Sequence, residues 1–414
     1  MPNTCLRLLA VSLSLALAGS LQAADTTKSA RALHDTFPVL DTHLDTPANL
    51  ARPGWDITEH HHYEDDGTQV DYPRMAEGGL DGGFWVIYTG QGPRTPEGNL
   101  KARNFGLQRL AQIREMVAAH PDKFELATKP EDAARIKAAG KRVVYISIEN
   151  AYPLSEDPSL IDAYYTLGVR MLGLVHTSNN DFADSSTDPK GPEWHGISPK
   201  GKALVTRANQ LGILIDQSHA SDDVFDQLLE VSRAPIILSH TASFDLNGHP
   251  RNIDDARIRK LAAKGGVIQV NSLSGYLIPT SKDPEYMKEM RALYAEAGSR
   301  RELTSEQRHA LMDKRKAIDA KYGVKTATLD DYMRHILHII EVAGVEHVGL
   351  GGADWDGGGG VVGLEDVSLL PKITERLLKA GYSEKQVAGM WGGNVLRLLG
   401  EVQALADPKA LEAL

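Results

Sequence analysis

Cysteine is nearly missing from this chain. Cys5 is the only one in 414 residues, and it lies ahead of the first apolar run, so a chain cleaved behind that run has none. A disulfide framework, a thiolate nucleophile and a cysteine-ligated metal are thereby excluded. A surplus of positive charge is missing too. With 45 Lys and Arg against 55 Asp and Glu, the formal net charge is −10, the wrong sign for a nucleic-acid partner. Beyond residues 8–18 no apolar stretch approaches the roughly 20 residues that cross a bilayer as a helix. Residues 404–414 are mixed and charged, unlike a lipid-anchor signal. The glycine run 357–360 is not followed by Lys-Ser or Lys-Thr, so it is not a phosphate-binding P-loop. It reads instead as a mobile lip of an active site.

The beginning of the chain carries a pattern of its own. Arg7 precedes the apolar run 8–18, and small residues follow near Ala23-Ala24. This reads as a secretory signal peptide over 1–23, with Leu21 or Gln22 making the cleavage site imperfect. An uncleaved anchor is the alternative, for which the run is short. Removing 1–23 takes one Arg and no acid, which moves the net charge from −10 to about −11. The expectation is an exported, periplasmic protein with one domain over 24–414.

Eight short apolar runs then alternate with helical patterns. The runs end or lie at His43, 84–88, 143–149, 169–176, 213–219, 235–240, 266–271 and 347–351. Between and after them, helical periodicity covers 100–119, 131–139, 202–211, 222–231, 254–264, 329–343, 365–379 and 383–399, with Gly212, Gly265 and Gly344 at positions for left-handed caps. Near-continuous apolar strands alternating with helices imply a (β/α)8 TIM-type barrel with inserted helices and loops; an open doubly wound sheet is the other α/β solution. Residues 283–322, charged and helical in composition, read as an insertion before the eighth strand.

In such a barrel, reactive groups gather where the strands end. His43 and Asp45 stand two residues apart, so on a strand both side chains face one way, and imidazole with carboxylate is an ordinary zinc ligand pair. Further runs end in Glu149, His176, His219, His240 and Asp354. Chance accounts poorly for seven such placements. Three adjacent histidines, His60 to His62, read as solvated, and His335 and His338, on one helix face without an acidic partner at ligand spacing, read as core or surface.

These stretches also resemble a known family. Asp41-Thr42-His43-Leu44-Asp45-Thr46-Pro47, Ser147-Ile148-Glu149-Asn150, Leu174-Val175-His176-Thr177-Ser178-Asn179, Asp216-Gln217-Ser218-His219-Ala220-Ser221 and Ile237-Leu238-Ser239-His240-Thr241-Ala242-Ser243 resemble, in order, the motifs of the membrane (renal) dipeptidases. Arg251-Asn252, Gly352-Ala353-Asp354-Trp355-Asp356-Gly357 and Gly392-Gly393-Asn394-Val395-Leu396-Arg397 continue the likeness. The resemblance implies a binuclear zinc dipeptidase. His43 and Asp45 would hold one zinc, His219 and His240 the other, and Glu149 would bridge them. Two ions roughly 3.5–4 Å apart can share a hydroxide that is nucleophilic near neutral pH. His176 would contact substrate and stabilise the oxyanion, its alternative being a core histidine. Asp354 would handle the proton. Arg251 would clamp the substrate's free carboxylate, where a planar guanidinium fits; the alternative is a solvated surface arginine. The resemblance further implies dipeptide substrates with an L or D second residue, a side activity on carbapenem-type β-lactams, and a homodimer. The rival barrel hydrolases usually show His-x-His on the first strand and a bridging Lys, whereas this chain has His-x-Asp and Glu149. A binding protein on the same scaffold is the non-enzymatic alternative.

Overall fold

The computed structural model describes residues 30–298 and 303–414; the signal-peptide reading of 1–23 falls outside them. Nine strands form one parallel sheet: β1 Leu40–Leu44, β2 Gly82–Tyr88, β3 Phe124–Leu126, β4 Arg142–Glu149, β5 Val169–Gly173, β6 Leu214–Asp216, β7 Ile237–Thr241, β8 Val267–Val270 and β9 Val348–Gly349. They follow one another in the order β1-β2-β4-β5-β6-β7-β8-β9, with β3 attached beside β4. Behind β9 the chain runs on until it meets the first strand. Thr42 N donates to Gly351 O at 2.5 Å and Asp45 N to Trp355 O at 3.0 Å. The path thus curls back on itself, the (β/α)8 arrangement expected, and not an open sheet.

The helices between the strands are α1 Pro96–Ala119, α2 Pro130–Ala138, α3 Pro199–Leu211, α4 Asp222–Val231, α5 Asp255–Ala263, α6 Pro284–Ala297, α7 Ser305–Lys321 and α8 Leu329–Ala343, followed by α9 Pro371–Lys379 and α10 Asn394–Ala404. α8 has the bounds its sequence predicts because Thr328 and Asp331 cap each other's backbone at its start. Gly212 takes the left-handed cap (φ 73°, ψ 32°), but Gly344 departs from it, with φ 84° and an extended ψ of 148°. The predicted insertion is the α6–α7 hairpin, joined where Tyr286 Oη donates to Asp319 at 2.9 Å. It leans on the short helix Tyr63–Asp66.

Alternation along the strands divides the barrel. On β4, Val144, Ile146 and Ile148 join the large apolar cluster beneath the helices, while Val143 and Tyr145 face a second cluster with Leu40, Phe84, Met171, Leu214, Ile237 and Val267. Val395, Leu398, Leu399 and Val402 of α10 close that second cluster from below. The same side of β4 ends in Ser147 and Glu149, so the barrel interior is apolar at its floor and polar at its mouth.

Three local features differ from the sequence reading. β3 is not among the eight runs; its three residues, Phe124-Glu125-Leu126, with Phe124 against Trp85 at 5.8 Å, are too few to show a period. β5 and β6 stop at Gly173 and Asp216, so His176 and His219 sit on loops rather than strands. The segment 383–399 is broken by a π-turn over Gly389–Gly393. There Gly392 lies so close to the first strand's approach that a Cβ would stand 2.4 Å from Pro38 O, and Asn394 Nδ2 donates to both Val345 O (2.8 Å) and Val348 O (2.7 Å).

Two histidines outside the mouth are wholly buried and locked neutral. His335 Nδ1 accepts from Ser243 N and its Nε2 faces Leu277 O; His34 lies between Gly78 O and Thr374 Oγ1. Burial pulls each down to about 4 from an ordinary 6.5. A depressed folded-state value makes this stability complete above pH 6.5 and lost as pH falls towards 4. Each contributes on the order of 3 kcal/mol across that window. Urea midpoints are expected to drop steadily from pH 6.5 to 4, and less steeply in His335→Gln, measured by denaturation at stepped pH.

Candidate metal centre

The centre is built around Glu149, the last residue of β4, whose register against β2 pairs it with Tyr88. Its Oε1 lies 2.9 Å from His219 Nε2, 3.5 Å from His43 Nε2, 3.6 Å from His240 Nε2 and 3.7 Å from His176 Nε2. His43 Nε2 stands 3.7 Å from Asp45 Oδ2, and Asp354 joins these two within 4.8 Å. The His43 and His240 rings stack at 3.7 Å. Seven of the predicted side chains are therefore drawn together at one mouth, and Arg251 adjoins them through Nη2, which donates to His240 O at 3.2 Å. The histidines at 60–62 and 335/338 belong to no such cluster among the described residues; His338 instead pairs with Asp255 at 2.7 Å.

Backbone distortion aims two of these groups. His219 and Asp354 carry left-handed φ values of 74° and 65°, which cost a non-glycine residue about 1–2 kcal/mol. Short bonds hold both turns: Ser186 N donates to His219 O at 2.9 Å, and Gly359 N to Asp354 O at 2.9 Å. Arg251 is 4 % exposed, so the surface-arginine alternative is overturned. Its guanidinium lies 5.3 Å from the Tyr276 ring, and its buried Nε has no acceptor among the described residues.

The electrostatics favour bound cations. Burial works against the charge on every group here, but around His43 the carboxylates of Glu149, Asp45 and Asp354 outweigh it and lift the imidazole to about 10. Burial would raise Glu149, yet the nearby imidazoles, His43 and His176 first, hold it well below the usual carboxylate range. His219 and His240 are kept neutral by burial and by Arg251 and their histidine neighbours, so their lone pairs are available. Burial pushes Asp354 up to about 6, with His43 opposing and Glu149 assisting. Three carboxylates in a buried site need positive charge, and neutral imidazoles with carboxylate oxygens are the donors that zinc-type cations take.

One chain of bonds escaped the sequence reading. Asp216 accepts from Ser218 N (3.0 Å), Ser239 N (2.9 Å) and Ser239 Oγ (2.5 Å), and Ser239 Oγ lies 2.7 Å from His240 Nδ1. With its own proton committed to Asp216, the serine oxygen can only accept from Nδ1–H. His240 is thereby fixed as the tautomer whose Nε2 offers a lone pair into the centre. Asp216 and Ser239 both stand inside the histidine motifs, but 23 residues separate them, and only strand pairing brings them into contact.

Comparison with known proteins decides the family. The family model described as membrane dipeptidase (peptidase family M19) matches residues 27–413. The chain belongs to this family. Among curated relatives, the dipeptidase aclJ of Aspergillus oryzae is 31 % identical over 353 residues, spanning 83 % of this chain and 73 % of that protein. The dipeptidase tcpJ of Claviceps purpurea is 29 % identical over 342 residues, 81 % of this chain and 70 % of that one. The crystal structure of the probable dipeptidase PvdM from Pseudomonas aeruginosa superposes with a TM-score of 0.79 at 31 % identity, covering 92 % of this chain and 100 % of that one. A metallopeptidase from Rhodobacter sphaeroides, solved with a phosphinate mimic of the dipeptide L-Ala-D-Ala, shares the fold at TM-score 0.70 and 23 % identity, over 88 % of this chain and 99 % of that one. This M19 chain is thus a dipeptidase-family enzyme with a cluster able to hold metal. No helix among its described residues is long and apolar enough to cross a membrane.

Breaking the Asp216–Ser239–His240 chain is expected to weaken metal binding without removing a ligand. Ser239→Ala should lose about 10–100-fold in zinc affinity, read by titrating zinc into metal-stripped protein.

Proposed function

We propose that this chain hydrolyses dipeptides with free termini, L-Xaa-L-Xaa or L-Xaa-D-Xaa, with two zinc ions. His43 and Asp45 would hold one ion, His219 and His240 the other, and Glu149 would lie between them. The convergence of four imidazoles on the single buried Glu149 oxygen carries this reading. When bound, the ions supply Lewis acidity and a nucleophile available at neutral pH.

The protein's own groups do the rest. Arg251, buried with its Nε unsatisfied, receives the substrate's C-terminal carboxylate, and the Tyr276 ring beside it keeps the guanidinium in place. His176 is half-buried, edge-on to Tyr88 at 4.8 Å, with Nε2 turned towards Glu149. From there it donates to the oxygen that gains charge as the amide carbon becomes tetrahedral. Asp354 takes the proton from the attacking water and passes it to the departing amine; a carboxylate raised towards neutrality accepts and releases a proton at little cost. Export to the periplasm, as the apolar leader suggests, would place the enzyme among peptides released outside the cytoplasm.

Purified protein supplied with zinc is expected to release free alanine from Ala-Ala, and a chelator to stop it. Asp354→Asn should lower turnover by about 10²–10⁴-fold while the metal content, measured by elemental analysis, is retained. Intact dipeptide after prolonged incubation would overturn the reading in favour of a binding protein, and an Asp354→Asn variant that turns over as fast as wild type would take the proton-handling role from Asp354.

A further inference from the structure

A second cavity, of about 680 Å³, lies beneath the α6–α7 hairpin. Its walls include Leu273, Met290, Tyr294, Met312 and Val361, and one side is the glycine strip 357–360. That strip is also a wall of the metal centre. A Cβ on Gly357 would stand 2.2 Å from Asp45 Oδ2 and 2.1 Å from Asp354 Oδ1. Gly358, at φ +142°, would carry a Cβ that meets only Leu273, at 3.2 Å. Four consecutive glycines therefore leave backbone alone between the centre and the cavity, with no side chain to shut the way. The other shared boundary is the turn Ser274–Leu277. Its Ser274 and Gly275 line the cavity, while its Tyr276 rests on Arg251.

We propose that this cavity receives the side chain of the substrate's C-terminal residue and favours a large apolar or aromatic one. The inference rests on the dipeptidase reading above. In that reading Arg251 holds the C-terminal carboxylate and Asp354 serves the amine of the same residue. Both groups touch the two boundaries of the cavity, so this residue is the one whose side chain faces it. Methionine and tyrosine walls, contributed by the inserted hairpin, adapt to varied apolar shapes. The hairpin is thus a specificity element laid over a general catalytic centre.

The test is a set of kcat/KM values for Ala-Gly, Ala-Ala, Ala-Leu, Ala-Phe and the reversed Phe-Ala. In the wild-type protein the value is expected to rise with the size of the second residue, by about tenfold or more from Ala-Ala to Ala-Phe. Filling the cavity with Met312→Trp, or independently Met290→Trp, should lower the Ala-Phe to Ala-Ala ratio about tenfold, chiefly through KM, and shift the Phe-Ala to Ala-Ala ratio far less. A flat or falling series in the wild-type protein overturns the proposal even if a variant does not fold. So does a variant that changes the Phe-Ala ratio instead. In both cases hydrolysis of Ala-Ala leaves the dipeptidase reading standing. No hydrolysis of any member removes both.

Discussion

A carboxylate that is 5 % exposed, with four imidazole nitrogens between 2.9 and 3.7 Å of one oxygen, is the interaction on which this structure turns. Taken from water alone, the Glu149 charge would cost several kcal/mol. It persists because histidines from three other parts of the chain, His43, His176 and His219, supply positive charge or hydrogen bonds, with the His240 ring packed beside them. Their arrival fixes where those parts must end. β4 places Glu149 inward by simple alternation. Asn150 then turns the chain aside at φ 71° and binds Thr89 O and Asn180 through its side chain. The polar mouth is therefore coupled to β2, β4 and the loop after β5 through adjacent residues.

The barrel separates stability from chemistry along its axis. Its floor is sealed by apolar side chains from seven strands and by α10, and the π-turn lets Gly392 and Asn394 dock against the starts of β1 and β9. Strain is confined to the other end. His219 and Asp354 hold left-handed backbone at the mouth, and hydrogen bonds in neighbouring loops over-determine both. Relaxing either turn would swing a functional group away from Glu149 while leaving the floor intact.

Much of this was legible in order along the chain. Strand runs, the helix cap at Gly212 and the inserted hairpin follow from local pattern, so they survive without tertiary knowledge. Legibility failed where meaning depended on partners far off in sequence. Arg251 looks the same in sequence whether it is solvated or buried, and packing against Tyr276 decides. Asp216 and Ser239 look like ordinary strand polar residues until β6 and β7 set them side by side. β3 is too short to show a period. The left-handed turns at His219 and Asp354 involve no glycine of their own, so no residue type announces them.

The balance of charge at the mouth leads to a last consequence. Asp45, Glu149 and Asp354 face one side of a site whose His219 and His240 are kept neutral, and the nearest fixed cation, Arg251, is directed towards His240 O and Tyr276. In the protein alone, the His43 proton is what offsets those acids, which is why its affinity rises so far. A divalent cation entering the centre must displace that proton, and it replaces one positive charge with two. The same three acids that raise the proton affinity of His43 would favour a metal cation more strongly still, and the neutral imidazoles opposite would give such an ion ligands without adding repulsion. Selection for cations is therefore a property of the whole mouth, distributed over five strands and two strained turns, rather than of any single ligand pair.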